Sequence, residues 1–222
     1  MKRPNQFNTP QPLLEPSLEL SYILGVLEGD GCVYKTKTAY GHEHIIQLCV
    51  KDKKFLEEFN RCLGKVFSRT VKIIYCKSGL YKICLRSKAF YEWYYNLTAE
   101  ELSRISLTHP NAFIKGFYDS EGSLTKFTTK KGEKTYTTYC VRMLNSNLQL
   151  LENIKSVMER TYGIRSKIAF RKPHQTVIDG RVCNFKENLY VLGIYNKGGV
   201  ERFLKNVGSS IPRKTMGVDN NG

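Results

Sequence analysis

One stretch of the sequence occurs twice. Residues 22–31, YILGVLEGDG, return in altered form as residues 113–122, FIKGFYDSEG. Each copy has a glycine near its middle, a small residue four positions later, then an acid and a final glycine; 91 positions separate the two acids, Asp30 and Glu121. A repeat at domain-sized spacing predicts two similar halves, each built around a helix that carries this stretch.

The glycines in the two copies predict close helix packing. A glycine inside a helix costs about 0.8–1 kcal/mol relative to alanine, so its presence there needs a structural reason. Small residues four positions apart form a stripe along one side of each helix. We expect the helices to cross closely at Gly25 and Gly116. Their terminal acids, Asp30 and Glu121, would then lie side by side.

Two carboxylates at helix C-termini are electrostatically unfavourable. The carbonyl groups at a helix end already carry about half a negative charge, and the two acids repel each other. A divalent cation relieves both effects, and carboxylates with backbone carbonyls are oxygen ligands that Mg²⁺ accepts. We therefore expect Asp30 and Glu121 to hold metal, helped by the carbonyls of Gly29 and Ser120.

The repeated stretch resembles the nine-residue motif of the LAGLIDADG homing endonucleases. Residues 23–31 match it at its two glycines and at Asp30, and residues 114–122 match it with Glu121 in place of the last acid. The resemblance covers residues 17–207. It implies an α+β fold of two pseudo-symmetric αββαββα halves that pack through the motif helices, with antiparallel sheets forming a DNA-binding saddle.

The resemblance also implies an activity. A protein of this family would be a site-specific endonuclease that makes a double-strand break in a long DNA target by metal-dependent hydrolysis, with the family's catalytic acids on Asp30 and Glu121. Each half would cut one strand across the minor groove and leave short 3′ overhangs. Mg²⁺ is the expected cofactor, Mn²⁺ its substitute, and Ca²⁺ would support binding without cleavage. We expect an intron-encoded protein that acts as a monomer.

The charge of the chain agrees with a nucleic-acid partner. Its 222 residues carry a formal net charge of +15, and the pI is near 9.5. Such an excess of like charge destabilises a compact fold unless a polyanion neutralises it. No apolar run approaches the roughly 18 residues of a membrane span. Double-stranded DNA is therefore the expected partner, and a membrane is not.

Alternating patterns predict strands with one basic face. In residues 44–51, Ile46, Leu48 and Val50 alternate with polar residues, and basic residues recur similarly on other strands. Two-stranded ribbons fit a major groove, where Arg and Lys read guanine and Gln reads adenine. The predicted DNA-binding residues are Lys35, Lys37, Gln47, Lys72, Lys82, Arg86, Lys126, Lys130, Arg142, Arg165, Lys167 and Arg171.

Three lysines are candidates for assisting hydrolysis. Lys51 lies at a strand end on the polar face and matches a position of the family pattern, whereas its repeat counterpart is Ser146. The second half therefore lacks a matching lysine there, which questions whether both strands are cut equally fast. Lys35 and Lys126 each follow their acid by five positions and are symmetric alternatives. Solvated surface positions without a catalytic role are the alternative for all three.

The repeat divides the chain into segments. We expect an irregular arm (1–16), a first half (17–97), a linker (98–109), a second half (110–217) and a tail (218–222). Helix N-caps are predicted at Ser17, Asp52, Ser87, Asn147 and Asn196. The first helix is expected to end at Gly31. Glu28 and Asp119 precede the terminal acids by two positions, face another side of the helix, and are interpreted as secondary.

Cysteine and histidine positions bear on compartment and metal content. The seven cysteines, none in a CxxC pair, are interpreted as reduced packing residues of an intracellular protein in a reducing compartment. His42 and His44 have no cysteine pair nearby, so a solvated or phosphate-facing loop is favoured over a zinc site.

The same acids are compatible with other functions. An RNA-splicing maturase with intron RNA as partner, or a DNA-binding protein that does not cut, would keep the fold. A glycosidase acid pair is disfavoured because neutral glycans give no reason for a net charge of +15.

Overall fold

The computed structural model describes residues 11–39, 41–172, 174–178, 181–185 and 188–215. These residues divide into two compact units, one up to Gly116 and one from Phe117 onward. Each unit combines helices with one four-stranded antiparallel sheet, so the fold is α+β as expected. Within the described ranges, none of the helices has the length and apolar character that crossing a bilayer requires.

The first unit contains two hairpins and the helices that cover one face of their sheet. Its elements are α1 (Leu18–Leu27), β1 (Cys32–Thr38), β2 (Gly41–Val50), α2 (Lys53–Phe67), β3 (Ile74–Tyr75), β4 (Tyr81–Arg86), α3 (Lys88–Asn96), α4 (Ala99–Ser106) and the first turns of α5 (Pro110–Glu121). The strand order is β1-β2-β4-β3. The predicted linker thus contains a helix, α4, which opens with a capping box between Thr98 and Glu101.

Local signals explain where the helices of the first unit form. Ser17 and Ser87 cap α1 and α3 because their hydroxyls accept backbone N–H groups of the first turns. Asp52 occupies the N-cap position of α2 without a side-chain cap bond. In α2, Phe55, Phe59 and the other apolar residues at helical spacing are fully buried, which fixes this helix to the core.

The second unit repeats the plan with one addition. After the end of α5 come β5 (Gly122–Lys131), β6 (Lys134–Asn145), α6 (Leu148–Tyr162), β7 (Lys167–Arg171), β8 (His174–Ile178), β9 (Arg181–Phe185), β10 (Leu189–Ile194), α7 (Lys197–Asn206) and a 3₁₀ helix (Pro212–Lys214). The main sheet has the order β5-β6-β10-β7, and β8 pairs with β9 as a separate hairpin. This hairpin lies between β7 and β10.

The first motif helix is shorter than predicted. It ends at Leu27 rather than at Gly31, and residues 28–30 form a turn. The carbonyl of Val26 accepts the N–H groups of both Gly29 and Gly31, which tightens the chain before it enters β1. The second motif helix, α5, continues to Glu121. The two acids therefore occupy different local structures, one in a turn and one in a helix.

Two interpretations of cysteine and histidine are corrected. Of the six cysteines with described side chains, only Cys62 and Cys140 are buried; the others occupy partly or fully exposed positions that alternate with core residues on strands or follow a strand. Cys183 lies outside the described side chains. His42 and His44 belong to β2 rather than to a loop, and the His44 ring packs 4.6 Å from Tyr91 of α3.

Candidate metal and nucleic-acid sites

Asp30 stands at an exposed position in the first unit. It lies in the turn between α1 and β1, directly after Gly29. Asp30 is exposed and follows the last residue of α1, Leu27, by three positions, so it comes directly after the C-terminal carbonyl groups of this helix. This is an arrangement of oxygen atoms that suits a cation.

Glu121 is the last residue of α5 and is partly buried. The chain turns from helix to strand directly after it, at Gly122. A methyl group on Gly122 would overlap both the ring and the carbonyl oxygen of Tyr118, so only glycine fits here. The tight passage places Glu121 and Ser120 at the junction of α5 and β5, in the second unit.

The described residues fit one type of metal site. Within this part of the chain, no group of three or more His, Cys, Asp or Glu side chains is arranged to hold a metal ion. A closed protein cage, such as structural zinc requires, is therefore not formed by them. Asp30 and Glu121 each supply, in their own unit, one carboxylate next to a helix end, and Mg²⁺ accepts such oxygen ligands together with substrate phosphates and water.

Gly116 lies in backbone contact with α1 inside the first unit. A methyl group here would overlap the carbonyl oxygen of Tyr22 and lie 3.1 Å from the amide nitrogen of Val26. Beside it, the Lys115 ammonium lies 5.7 Å from the Tyr22 ring centre and 3.3 Å from a carboxylate oxygen of Glu58. Gly25, its counterpart in α1, is buried. The absence of a side chain at Gly116 is what allows these two helices to approach so closely.

Asp119 is the centre of a buried network that the sequence did not predict. It is 1% exposed, and its carboxylate accepts hydrogen bonds from the hydroxyl groups of Ser209 and Ser210 and from the amide of Ser210. Lys214 donates to the carbonyl oxygens of Tyr118 and Asp119 at 3.0 and 2.7 Å. These partners come from a segment beyond α7, where no repeat or periodic pattern pointed to a role.

Glu28, at the matching place in the first motif, has a different environment. Burial raises the pKa of its carboxyl group. Burial, and secondarily the charge of Glu28, also raises the pKa of the Tyr94 hydroxyl to about 12. Glu28 thus faces α3 within its own unit, whereas Asp119 holds the C-terminal segment of the second unit.

Strand register defines an open face for the first sheet, opposite the face that packs on helices. Directly paired residues share a face, and neighbours along a strand alternate. Val33, Ile46 and Leu85 are paired and buried against the helices. The open face therefore carries the row Cys32, Gln47 and Cys84, and next to it the row Cys49, Lys82 and Ile74.

Register separates the predicted contact residues of the first unit. Gln47, Lys82 and Arg86 lie on the open face, and Arg86 forms a 2.8 Å ion pair with Glu43. Lys35 and Lys37 alternate with them and share the face of Val33 and His44. Lys51 follows β2 at an exposed position in phase with Gln47 and Cys49, and Lys72 is exposed before β3.

The open face of the second sheet is also basic. Met143, Leu192 and Ile168 pair on its helix-covered face. The alternate row, on the open face, consists of Ser123, Arg142, Gly193 and Lys167, with Arg171 further along β7. Lys126 and Lys130 fall in phase with Leu124, on the helix-covered side of the strand pattern. Arg165 is exposed just before β7.

Arg142 is held between aromatic rings on this open face. Its guanidinium carbon lies 5.0 Å from the Phe127 ring centre and 5.9 Å from that of Tyr195. Gly193, which pairs with Arg142 across the strands, has no side chain. The Tyr195 ring can therefore occupy this place, where a Cβ on residue 193 would overlap it. A cavity of about 500 Å³ adjoins the cluster and is lined in part by Arg165, Lys167 and Tyr195.

Sequence relatives of the chain are known. A model described as a LAGLIDADG-like domain matches residues 108–208. The uncharacterised protein MJ0314 of Methanocaldococcus jannaschii is 38% identical over 160 residues, which are 69% of this chain and 58% of that protein. The uncharacterised protein MJ0398 of the same organism is 31% identical over 216 residues, which are 95% of this chain and 74% of its own. The match thus spans little more than half of MJ0314.

Solved structures share the fold. Variants of the homing endonuclease I-DmoI align with a TM-score of 0.58 at 23% identity, over 86% of this chain and 94% of theirs. I-WcaI bound to its DNA recognition sequence aligns with a TM-score of 0.54 at 15% identity, over 91% of this chain and 88% of that one. At sequence identities this low, the structural similarity establishes the fold of the chain alone. Residues 108–208 are therefore a LAGLIDADG-like domain, and the chain has the two-repeat fold of the LAGLIDADG homing endonucleases.

Proposed function

We propose that the protein is a site-specific DNA endonuclease that makes a double-strand break by divalent-metal-dependent hydrolysis. The observation that carries this proposal is the retention of a carboxylate at the end of both motif segments, Asp30 and Glu121, in a chain of net charge +15. I-DmoI, which shares the fold, has been solved in complex with DNA and Mn and with DNA and Ca. Because both repeats are in one chain, we expect a monomer to be sufficient.

The two carboxylates have matched roles in this proposal. Asp30 and Glu121 would hold Mg²⁺, with the carbonyls of Gly29 and Ser120 as further oxygen ligands. When bound, Mg²⁺ would favour deprotonation of the attacking water and stabilise the charge that develops on the leaving oxygen. Each carboxylate would thereby direct cleavage of one strand. The exposure of Asp30 in its turn suits contact with a phosphate group of the substrate.

Among the three candidate lysines, the register favours Lys51. It is exposed directly after β2, two positions beyond the open-face residue Cys49, whereas Lys35 and Lys126 fall on the helix-covered side of their strands. An ammonium group on the open face can donate hydrogen bonds to a phosphate oxygen or to the attacking water. We therefore assign an assisting role to Lys51 and none to the other two.

Cleavage of DNA tests the proposal directly. A mobile intron interrupts its own target, so the joined DNA flanks of the open reading frame are the natural substrate to try. We expect a plasmid carrying these flanks to be linearised in Mg²⁺ or Mn²⁺, and to be bound without cleavage in Ca²⁺ or with a chelator. Linearisation with the chelator present, or no cutting of either the flanks or a randomised target library, would contradict the proposal.

Arg142 is expected to select guanine at one target position. The Phe127 and Tyr195 rings restrict its guanidinium before DNA binds, so less side-chain entropy is lost when it forms a bidentate bond with guanine. Arg142→Lys should reduce discrimination against other bases at that position by about 1–3 kcal/mol, the value of one bidentate contact. Binding to a library with every base substitution measures this change.

A matched substitution controls for the loss of an arginine in general. Arg160 is exposed on α6, away from the open face, so Arg160→Lys should leave the base preferences as they are in the original protein. If Arg142→Lys instead weakened binding to all targets equally, Arg142 would be a phosphate contact and not a base-reading residue.

A further inference from the structure

We propose that Lys214 is a positioning residue for the metal site of Glu121. The inference rests on the proposed function and assigns to the segment Ser209–Lys214 the task of holding the C-terminal end of α5. Lys214 itself would not touch the cation or the substrate. It would act by fixing the carbonyl groups that immediately precede Ser120 and Glu121.

The route of the chain brings this segment to α5. Helix α7 ends where the amide of Gly208 donates to the carbonyl of Phe203 at 3.1 Å. Gly208 has φ +64°, a left-handed conformation that reverses the chain direction. Ser209 and Ser210 follow at once and donate their hydroxyl groups to the Asp119 carboxylate. The reversal at Gly208 therefore delivers two hydroxyl donors to the last turn of α5.

Lys214 completes the attachment from the other end of the segment. Its side chain is buried, with the residue only 4% exposed, and its ammonium lies 5.6 Å from the Tyr118 ring centre. It donates to the carbonyls of Tyr118 and Asp119, while the Tyr118 hydroxyl donates back to the Lys214 carbonyl at 3.3 Å. A buried ammonium must keep its hydrogen bonds, so this geometry is rigid.

The two carbonyl groups that Lys214 binds lie directly before the proposed metal ligands in α5. The last four carbonyls of a helix have no partner within the helix, and in α5 they belong to residues 118–121. Lys214 binds the first two of them. Without it, the end of α5 would lose the bonds that fix the direction of Glu121 and of the Ser120 carbonyl. Outer partners of this kind typically contribute about 10–100-fold to metal affinity or activity.

Charge and positioning predict opposite effects for one substitution. Lys214→Met removes a positive charge near the site, which by itself would strengthen the binding of a cation. It also removes the bonds to the helix end, which would weaken that binding. The direction of the measured change therefore separates a positioning role from a purely electrostatic one.

The experiment measures Mn²⁺ binding to the full protein by electron paramagnetic resonance, without DNA. We expect Lys214→Met to raise the Kd for Mn²⁺ by about tenfold. Ser210→Ala, which keeps Lys214 and every charge but removes one hydroxyl bond to Asp119, should change it in the same direction. Lys205→Met, the same substitution at an exposed site in the last turn of α7, serves as the matched control.

A second measurement follows cleavage of each strand separately, with the two strands labelled differently. In Lys214→Met we expect one strand to be cut about tenfold more slowly and to need more Mg²⁺, while the other is cut at the original rate. An unchanged or tighter Mn²⁺ Kd in a folded variant would overturn the proposal, as would equal slowing of both strands. Should Lys214→Met fail to fold, Ser210→Ala gives the test without any change of charge: a higher Mn²⁺ Kd supports positioning by this segment, and an unchanged Kd overturns it.

The two proposals can fail independently. If the unaltered protein cuts no DNA, the endonuclease function is rejected, but the Mn²⁺ affinities of the variants still decide whether Lys214 positions the site. If the protein cuts and the affinities do not change, only the role of Lys214 is rejected.

Discussion

Asp30→Asn or Glu121→Gln is expected to lower the rate of double-strand cleavage by more than about 100-fold, the upper end of what losing an outer metal partner costs. Each substitution keeps the size of the side chain and removes the negative charge that a cation requires. Because each acid would serve one strand, residual nicking of the opposite strand is compatible with the roles. A plasmid assay that separates nicked from linear DNA measures both outcomes.

The same variants should keep the fold and the affinity for DNA. Asp30 is exposed in a turn, so its amide analogue leaves no buried group without a partner. DNA binding in Ca²⁺ is therefore expected to persist. Glu201→Gln, which removes an acid from the exposed side of α7, is the matched control and should cut normally. Mg²⁺-dependent cutting at the original rate by Asp30→Asn or Glu121→Gln would remove that acid from the mechanism.

Gly116→Ala is expected to destabilise the protein by about 2–4 kcal/mol, at or beyond the usual cost of overpacking. Alanine is the better helix former by about 0.8–1 kcal/mol, so local propensity alone predicts a gain. The added methyl group would, however, overlap the carbonyl oxygen of Tyr22, a backbone atom that cannot rotate away. Denaturant unfolding, followed by far-ultraviolet circular dichroism, measures the change in the free energy of unfolding.

Gly64→Ala supplies the control with the opposite sign. Gly64 lies inside α2, and a methyl group there would meet its nearest neighbour, the Arg69 carbonyl oxygen, at an ordinary 3.7 Å. We expect a gain of about 0.5–1 kcal/mol from helix propensity and reduced chain entropy. Equal effects of the two substitutions would mean that Gly116 is not in tight contact with α1.

The sequence predicted most elements because their signals are local. The alternation in β2 and the caps at Ser17 and Ser87 each depend on residues a few positions apart. The predicted end of α1 at Gly31 is wrong, because a glycine in the sequence does not by itself show where the helical hydrogen bonds stop. In the structure, the Val26 carbonyl oxygen accepts hydrogen bonds from the amides of both Gly29 and Gly31. This backbone turn ends the helix four residues earlier.

Contact residues were harder to predict from composition and spacing. Basic composition alone groups Lys35 and Lys37 with Lys82 and Arg86, whereas strand pairing places the first two on the opposite face from the last two. A shift of one position moves a side chain to the other face of a sheet. Pairing between strands is therefore needed before a basic residue can be assigned to a surface.

By itself, the sequence determined the two repeats, the acids that end their motifs, the basic charge and the resemblance to the family's motif, because these are properties of residue type and spacing. Only the tertiary structure decided which strand face each lysine occupies and that Lys214 reaches the end of α5. The reason is physical: hydrogen bonds such as those from Lys214 to Tyr118 and Asp119 join residues 96 and 95 positions apart, and no local pattern encodes so distant a contact.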